Sequence, residues 1–208
     1  MTSLLTAQTV PTVASQTPPA TARQAALNDF ARRLQAYLSL RGELENELQP
    51  LSPKVNASEL RARRLALAAR LRNARMGARH GDLIPLLVQK QIRETVLADL
   101  KRRSPAERNV ILEEMPTGPL PGINRNYPVG AALPTVSPLL LACLPTLPET
   151  LEYRFFSRHV IVLDLDVEIV VDYVANAVPS QDDDDSSPRA LGQAHIVDAG
   201  SSHRRSRA

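Results

Sequence analysis

Apolar residues recur at helical spacing through the first half of the chain. In segment 21–48 they are Leu27, Phe30, Leu34, Tyr37, Leu38 and Leu44. This periodicity is that of one buried helix face. Pro50 and Pro53 interrupt the pattern, because proline cannot donate the hydrogen bond that a helix interior needs. We therefore predict a first helix over 21–48, followed by a reversal of the chain.

Two rows of side chains run along the second predicted helix, which is capped by Asn56 or Ser58 and continues to about residue 79. The apolar row consists of Leu60, Leu67, Leu71, Ala74 and Ala78. The cationic row consists of Arg61, Arg64, Arg72, Arg75 and Arg79, with Ala68 in its gap. Residues three or four apart lie on one helix face. The helix is therefore expected to turn one face to a core and a dense positive face away from it.

Local signals define two further helices before residue 115. Gly81 suits the left-handed position that ends a helix, and Asp82 suits the N-cap of the next helix. That third helix is expected to end at Arg103. Segment 104–107 reads Ser-Pro-Ala-Glu, which is a capping box with proline at the first helical position. It predicts a short fourth helix.

Prolines break up segment 116–150, which we expect to be an extended strap packed on the helices. Beyond it, apolar and β-branched residues alternate or cluster in three short runs between 151 and 174. Such runs, separated by short polar connections, are typical of an antiparallel β-meander. We predict an α+β fold: an N-terminal helical bundle of three to four helices (21–115) and the strap (116–150), packed with a C-terminal three-stranded antiparallel β-meander (151–174). Together they form a single domain over 21–178.

The two ends of the chain have a different composition. Residues 1–20 are rich in Ser, Thr, Ala and Pro, and we expect a disordered leader or the remnant of a signal peptide. The remnant would place the protein in the periplasm or outside the cell, and the leader would place it in the cytoplasm. Asp182 to Asp185 form a like-charge block, so we expect 179–208 to be a disordered charged tail. No stretch approaches the roughly 20 apolar residues of a membrane span.

The chain is basic, and arginine supplies most of its positive charge. Its formal net charge is +3 and its pI is about 9.3, and only Lys54, Lys90 and Lys101 are lysines. Arginine pairs in a bidentate manner with carboxylate and phosphate groups. The single cysteine, Cys143, excludes an intrachain disulfide. The single cysteine also excludes a Cys-rich metal site.

The arginine row divides into two predicted roles. Glutamates at the end of the first helix oppose the helix dipole and need positive neighbours. If the second helix returns antiparallel, its first arginines lie beside them. We therefore predict structural charge pairing among Arg61, Arg64, Glu43, Glu45 and Glu47. We predict binding of an anionic partner by Arg72, Arg75 and Arg79, and the alternative for these is a solvated or salt-bridged helix face.

Enzymatic and cofactor signals are few. His80 and Asp82 suggest a hydrolase-like site beside the arginines as the alternative function. Segment 164–168 resembles the start of a calcium loop, but Ile169 replaces the required glycine and Ala175 the final acidic residue. Nucleotide, zinc and serine-hydrolase motifs are missing, so we predict no metal and no cofactor. No aromatic residues suitable for base stacking lie near the row, which argues against nucleic acid.

Three segments resemble a group of uncharacterised bacterial proteins, often exported, over about residues 27–175. The first reads LAARLR at 67–72, followed by Gly81 and Asp82. The second comprises NYP at 126–128 and LPTLP at 144–148, and the third comprises LEYRF at 151–155, VLD at 162–164 and IVVD at 169–172. The resemblance implies this architecture and an export signal. Ser157 departs from it, because a glycine is expected in that tight turn.

From these observations we predict a small non-enzymatic binding or interaction protein, acting in the cell envelope if it is exported. Its Arg-rich helix face would meet an unknown protein or other anionic partner. The oligomeric state is left open.

Overall fold

The computed structural model describes residues 19–51, 53–131, 136 and 138–179. The predicted leader and tail lie outside these residues, apart from residues 19, 20 and 179. The elements described are α1 (Ala20–Asn46), α2 (Ala57–Ala74), α3 (Leu86–Arg102), α4 (Pro105–Glu114), α5 (Pro138–Leu141), β1 (Leu151–Phe156), β2 (His159–Asp164) and β3 (Ile169–Val174). The helices precede a three-stranded antiparallel sheet of order β1-β2-β3. The predicted α+β fold is confirmed.

The helix boundaries agree with the capping signals at two places and differ at two. Asn56 begins α2 and Ser104 begins α4, each with a complete capping box. However, α2 ends at Ala74 rather than near residue 79. Asp82 is not the N-cap of α3, since Pro85 occupies that position.

The helices cover one face of the sheet. Their buried contributors include Phe30 and Tyr37 of α1 and Val96 of α3, all less than a tenth exposed. They belong to one apolar cluster with Val160 and Val171 of the sheet. Apolar burial of this kind stabilises the meander, which would be marginal as an isolated sheet.

The strap covers the opposite face of the sheet. Tyr127 belongs to a second apolar cluster with residues of β2 and β3, including Ile161 and Val170. Backbone N–H groups of the strap also bond to β3 and to the residue that precedes it: Asn124 N–H donates to the carbonyl of Val170 at 2.9 Å, and Tyr127 N–H to that of Glu168 at 2.8 Å. This part of the strap therefore packs on the sheet, because the meander has two apolar faces to cover, and it also contacts α2 through the hydrogen bond from Arg72 to Asn126.

The tight turn between β1 and β2 keeps left-handed geometry without glycine. Ser157 has a φ of 50°, which a non-glycine residue adopts at some cost. Its N–H donates to the carbonyl of Pro116 at 2.8 Å. The start of the strap therefore anchors this turn.

Candidate functional site

The arginines of the predicted row differ in solvent exposure and in whether they lie within α2. Arg61 and Arg64 lie in the exposed first half of α2, whereas Ala68, which fills the gap in the row, is only 1% exposed. Arg75 and Arg79 lie beyond the end of the helix, in the turn that leads to Gly81. The row is therefore not a continuous solvent-facing surface.

The glutamates near the end of α1 pair with other arginines than those predicted. Glu47 pairs with Arg70, and Glu45 pairs with Arg41 at 2.8 Å and with Arg63 at 3.9 Å. Arg63 and Arg70 are seven residues apart, which is about two helical turns. They mark the flank of α2 that approaches α1.

The structural pairing predicted for Glu47 is present, with Arg70 as its partner, but the pairing predicted for Arg61, Arg64 and Glu43 is not. In the described part of the chain, Arg61, Arg64 and Glu43 form no ion pair. The physical reason is the rotation of α2 about its axis, because neighbouring residues on a helix point about 100° apart.

Arg75 is a structural residue rather than a free cation. Its guanidinium donates to Asn124 Oδ1 at 2.9 Å and to the carbonyl of Val171 at 3.1 Å. Its central carbon lies 5.0 Å from the ring centroid of Tyr37, within cation–π range. Burial lowers the pKa of Arg75. Arg75 thus joins the end of α2 to the strap and to β3.

The other two arginines predicted to bind an anion differ from each other. Arg72 is half-buried and donates to Asn126 Oδ1 in the strap. Arg79 has an exposed side chain, and its backbone N–H donates to Asp82 Oδ2 at 2.7 Å. Of the three arginines predicted to bind an anion, Arg75 is bonded to the strap and to β3. Arg72 is bonded to the strap, and Arg79 is exposed.

A cleft of about 340 Å³ opens between α1 and the turn that follows α2. Arg33, Tyr37, Arg75 and Asp82 contribute polar groups to its walls. Arg33 pairs with Asp29 at 2.8 Å and donates to the carbonyl of Gly81 at 2.8 Å. The cleft contains both signs of charge, and its principal polar groups already have protein partners.

No hydrogen bond between described residues joins His80 to Asp82, the predicted acid–base pair. The ring of His80 stacks on Tyr173 with a centroid separation of 4.4 Å. Asp82 instead lines the cleft, to which His80 does not contribute. Stacking on Tyr173 accounts for the position of the His80 ring.

Tyr173 also meets a second histidine. The ring of His159 lies edge-on to it at 6.1 Å, and His159 Nδ1 accepts the N–H of Asn176 at 3.3 Å. Burial, assisted by the nearby charge of Arg158, lowers the pKa of His159. The accepting nitrogen is satisfied best by a neutral imidazole.

Asp172 on β3 is a structural centre that the sequence analysis missed. Its side chain is completely buried. One carboxylate oxygen accepts N–H groups of Gly81 at 3.1 Å and Tyr173 at 2.8 Å, and the other accepts those of Leu83 and Ile84, both at 2.9 Å. Asp172 therefore fixes the connection between α2 and α3. The available signal was a carboxylate within an apolar strand, where a charge must be compensated.

Asp164 at the end of β2 forms a second buried centre. It accepts a hydrogen bond from the Tyr37 hydroxyl at 2.7 Å and one from Arg41 Nε at 3.0 Å. Arg41 also pairs with Asp166 and Glu45. Burial, together with the Asp164 charge, raises the pKa of Tyr37 far above its usual range. Segment 164–168, which resembles a calcium loop in sequence, thus anchors the sheet to α1.

Two classes of site are missing from the described residues. They contain no group of three or more His, Cys, Asp or Glu side chains placed to hold a metal ion. They also contain no helix long and apolar enough to cross a bilayer.

Comparisons with protein-family models, with curated proteins and with solved structures find no match for this chain. The resemblance to uncharacterised bacterial proteins stays a prediction.

Proposed function

We propose that this chain is a small non-enzymatic interaction protein that binds an anionic partner through the exposed first half of α2. The residues that carry this binding are Arg61 and Arg64, which we call the basic pair. They lie three residues apart, so their side chains project from one helix face with Cβ atoms roughly 5–6 Å apart.

One observation carries the proposal. Arg63 and Arg70, on the flank of α2 that meets α1, are paired with glutamates. Arg61 and Arg64 have exposed side chains, and no acidic group among the described residues pairs with them. Uncompensated positive charge attracts anions and accelerates their association.

The chemistry of the pair favours carboxylate or phosphate groups. Guanidinium groups bind both in a bidentate geometry. The aromatic rings of the described chain lie elsewhere: Phe30, Tyr37 and Tyr127 are buried. A single-stranded nucleic acid would therefore find charge on this surface but no stacking platform.

The hydrolase-like alternative has no comparable support. His80 stacks on Tyr173 and Asp82 lines the cleft, of which His80 is not a lining residue. A catalytic site requires its acid and base to face one substrate position. We retain only the binding function.

The proposal is tested by reversing the basic pair. The double variant Arg61→Glu/Arg64→Glu is compared with Arg23→Glu/Lys101→Glu, which changes the net charge equally at two other exposed positions. Labelled polyglutamate and vesicles containing phosphatidylglycerol serve as anionic probes at 50 and 200 mM salt. The first variant should lose at least tenfold in affinity for one of the probes, while the second should lose less than threefold because its charges lie elsewhere.

Circular dichroism of both variants must remain unchanged. An equal loss in the two variants would contradict the proposal, because binding would then depend on net charge alone.

A further inference from the structure

The inner face of α2 continues beyond the core. Leu67 and Leu71 are buried, with 4% and 1% exposure, whereas Leu60 on the same face is 36% exposed. Residues 57–66 are exposed, apart from the half-buried Arg63. We call this segment the free half of α2. It extends about 15 Å at 1.5 Å of rise per residue.

The free half presents cations between leucines. At about 100° per residue, Leu60, Arg64, Arg61 and Leu65 follow one another over an arc of roughly 140°. Leu65 is 55% exposed. Glu59 lies on the other side of the helix, where it completes the capping box. The arc thus combines positive charge with exposed apolar surface and contains no acidic residue.

This composition distinguishes between classes of partner. Helices that lie in a bilayer surface bury a broad apolar face, but here the two leucines are separated by the two arginines. A second copy of this chain that docked through the same surface would place its own arginines against the basic pair, which is repulsive. Arginine beside apolar side chains is instead typical of protein–protein interfaces.

We infer that the free half of α2 is a docking surface for an acidic amphipathic helix of a partner protein; this inference rests on the proposed function. Two carboxylates three or four residues apart on that helix are about 5–6 Å apart, which matches the spacing of the basic pair. Apolar side chains that flank the carboxylates would cover Leu60 and Leu65. Helices commonly pack with axes 8–10 Å apart.

The test uses the full chain and designed probes. Four blocked 18-residue peptides carry Glu pairs, three or four residues apart, flanked by Leu at helical spacing. Scrambled peptides of the same composition, polyglutamate and vesicles of phosphatidylcholine and phosphatidylglycerol complete the set. The variants are Leu60→Ser/Leu65→Ser and Arg61→Glu/Arg64→Glu. The matched control is Leu97→Ser/Val110→Ser, at apolar positions exposed elsewhere.

The inference predicts that at least one ordered peptide binds tenfold more tightly than its scrambled form. The leucine variant should weaken this binding at least fivefold without changing its salt dependence. The arginine variant should abolish the salt dependence, and the control should bind like the parent protein.

Four results would overturn the inference. If only the arginine variant loses affinity, or if polyglutamate binds as well as the ordered peptides, the proposed function stands but the partner is not an amphipathic helix. If vesicles bind with the same dependence on leucine, the surface belongs to a bilayer. If none of these probes binds at millimolar concentration, both proposals fail.

Discussion

Replacing Asp172 by alanine tests how the connection between α2 and α3 is held. The buried carboxylate accepts N–H groups of Gly81, Leu83, Ile84 and Tyr173. Hydrogen bonds to a charged acceptor contribute about 1.5–3 kcal/mol each, and a buried donor left without a partner costs a similar amount. Water can replace the bond to the half-buried Gly81 more easily than those to the buried pair Leu83 and Ile84.

Counting only these two buried bonds gives a loss of about 3–6 kcal/mol in the free energy of unfolding. This is a large part of the roughly 5–15 kcal/mol that stabilises a typical domain. Asp172→Asn retains one accepting oxygen and should lose about half as much. The exposed Glu113→Ala is the control, which should stay within about 0.5 kcal/mol.

Urea denaturation with a common m-value measures these differences. Native-state hydrogen exchange should show faster exchange at Leu83 and Ile84 in Asp172→Asn than at the core of α3. A loss below about 1 kcal/mol in Asp172→Ala, or a uniform acceleration of exchange in Asp172→Asn, would refute this account of the connection.

Three further changes test other parts of the structure. Arg41→Ala leaves the buried Asp164 without its cation and should destabilise by about 3–5 kcal/mol in urea; a loss under 1 kcal/mol would contradict the buried pair. Because burial lowers the pKa of His159 in the folded state, its contribution to stability is present above the unfolded pKa of about 6.5 and is lost as the pH falls below that value. His159→Gln should flatten this part of the stability profile, and an unaltered slope would exclude His159 as its origin. Gly81 has a φ of +87°, and a Cβ there would lie 3.3 Å from Gln89 Nε2, so Gly81→Val should cost on the order of 1–2 kcal/mol; an unchanged denaturation midpoint would show that the turn tolerates a side chain.

Local sequence signals account for the elements that could be predicted. The capping boxes that begin at Asn56 and Ser104 use residues within one helical turn, so they can be read directly. The alternation of apolar residues in β1 is equally local. The predicted architecture followed from these signals because each specifies an element without knowledge of its neighbours.

Tertiary contacts determined the features that were mispredicted. Arg75 is the C-cap of α2, and its side chain bonds to Asn124 and to the carbonyl of Val171. These residues are distant in the chain, so helical periodicity continues in sequence beyond the point where the helix stops. The glutamates near the end of α1 pair with Arg63 and Arg70 rather than with the predicted arginines. Which arginines face these glutamates depends on how α2 is rotated about its axis relative to α1. No local pattern specifies that angle.

The two buried carboxylates could be recognised in part from the sequence. Asp172 interrupts an apolar strand and Asp164 ends one, which indicates that each requires a compensating group. The identities of those groups, backbone amides for one and Arg41 with Tyr37 for the other, appear only in the fold.

The most direct test of the proposed function is the affinity of the basic-pair variant for an anionic probe. Arg61→Glu/Arg64→Glu and Arg23→Glu/Lys101→Glu should be titrated in parallel with polyglutamate and with phosphatidylglycerol vesicles at 50 and 200 mM salt. We predict that the basic-pair variant loses at least tenfold in affinity for one of the two probes, together with most of the salt dependence, while the control remains within threefold of the parent protein. Equal affinities for the two variants would contradict the assignment of Arg61 and Arg64 as the binding residues.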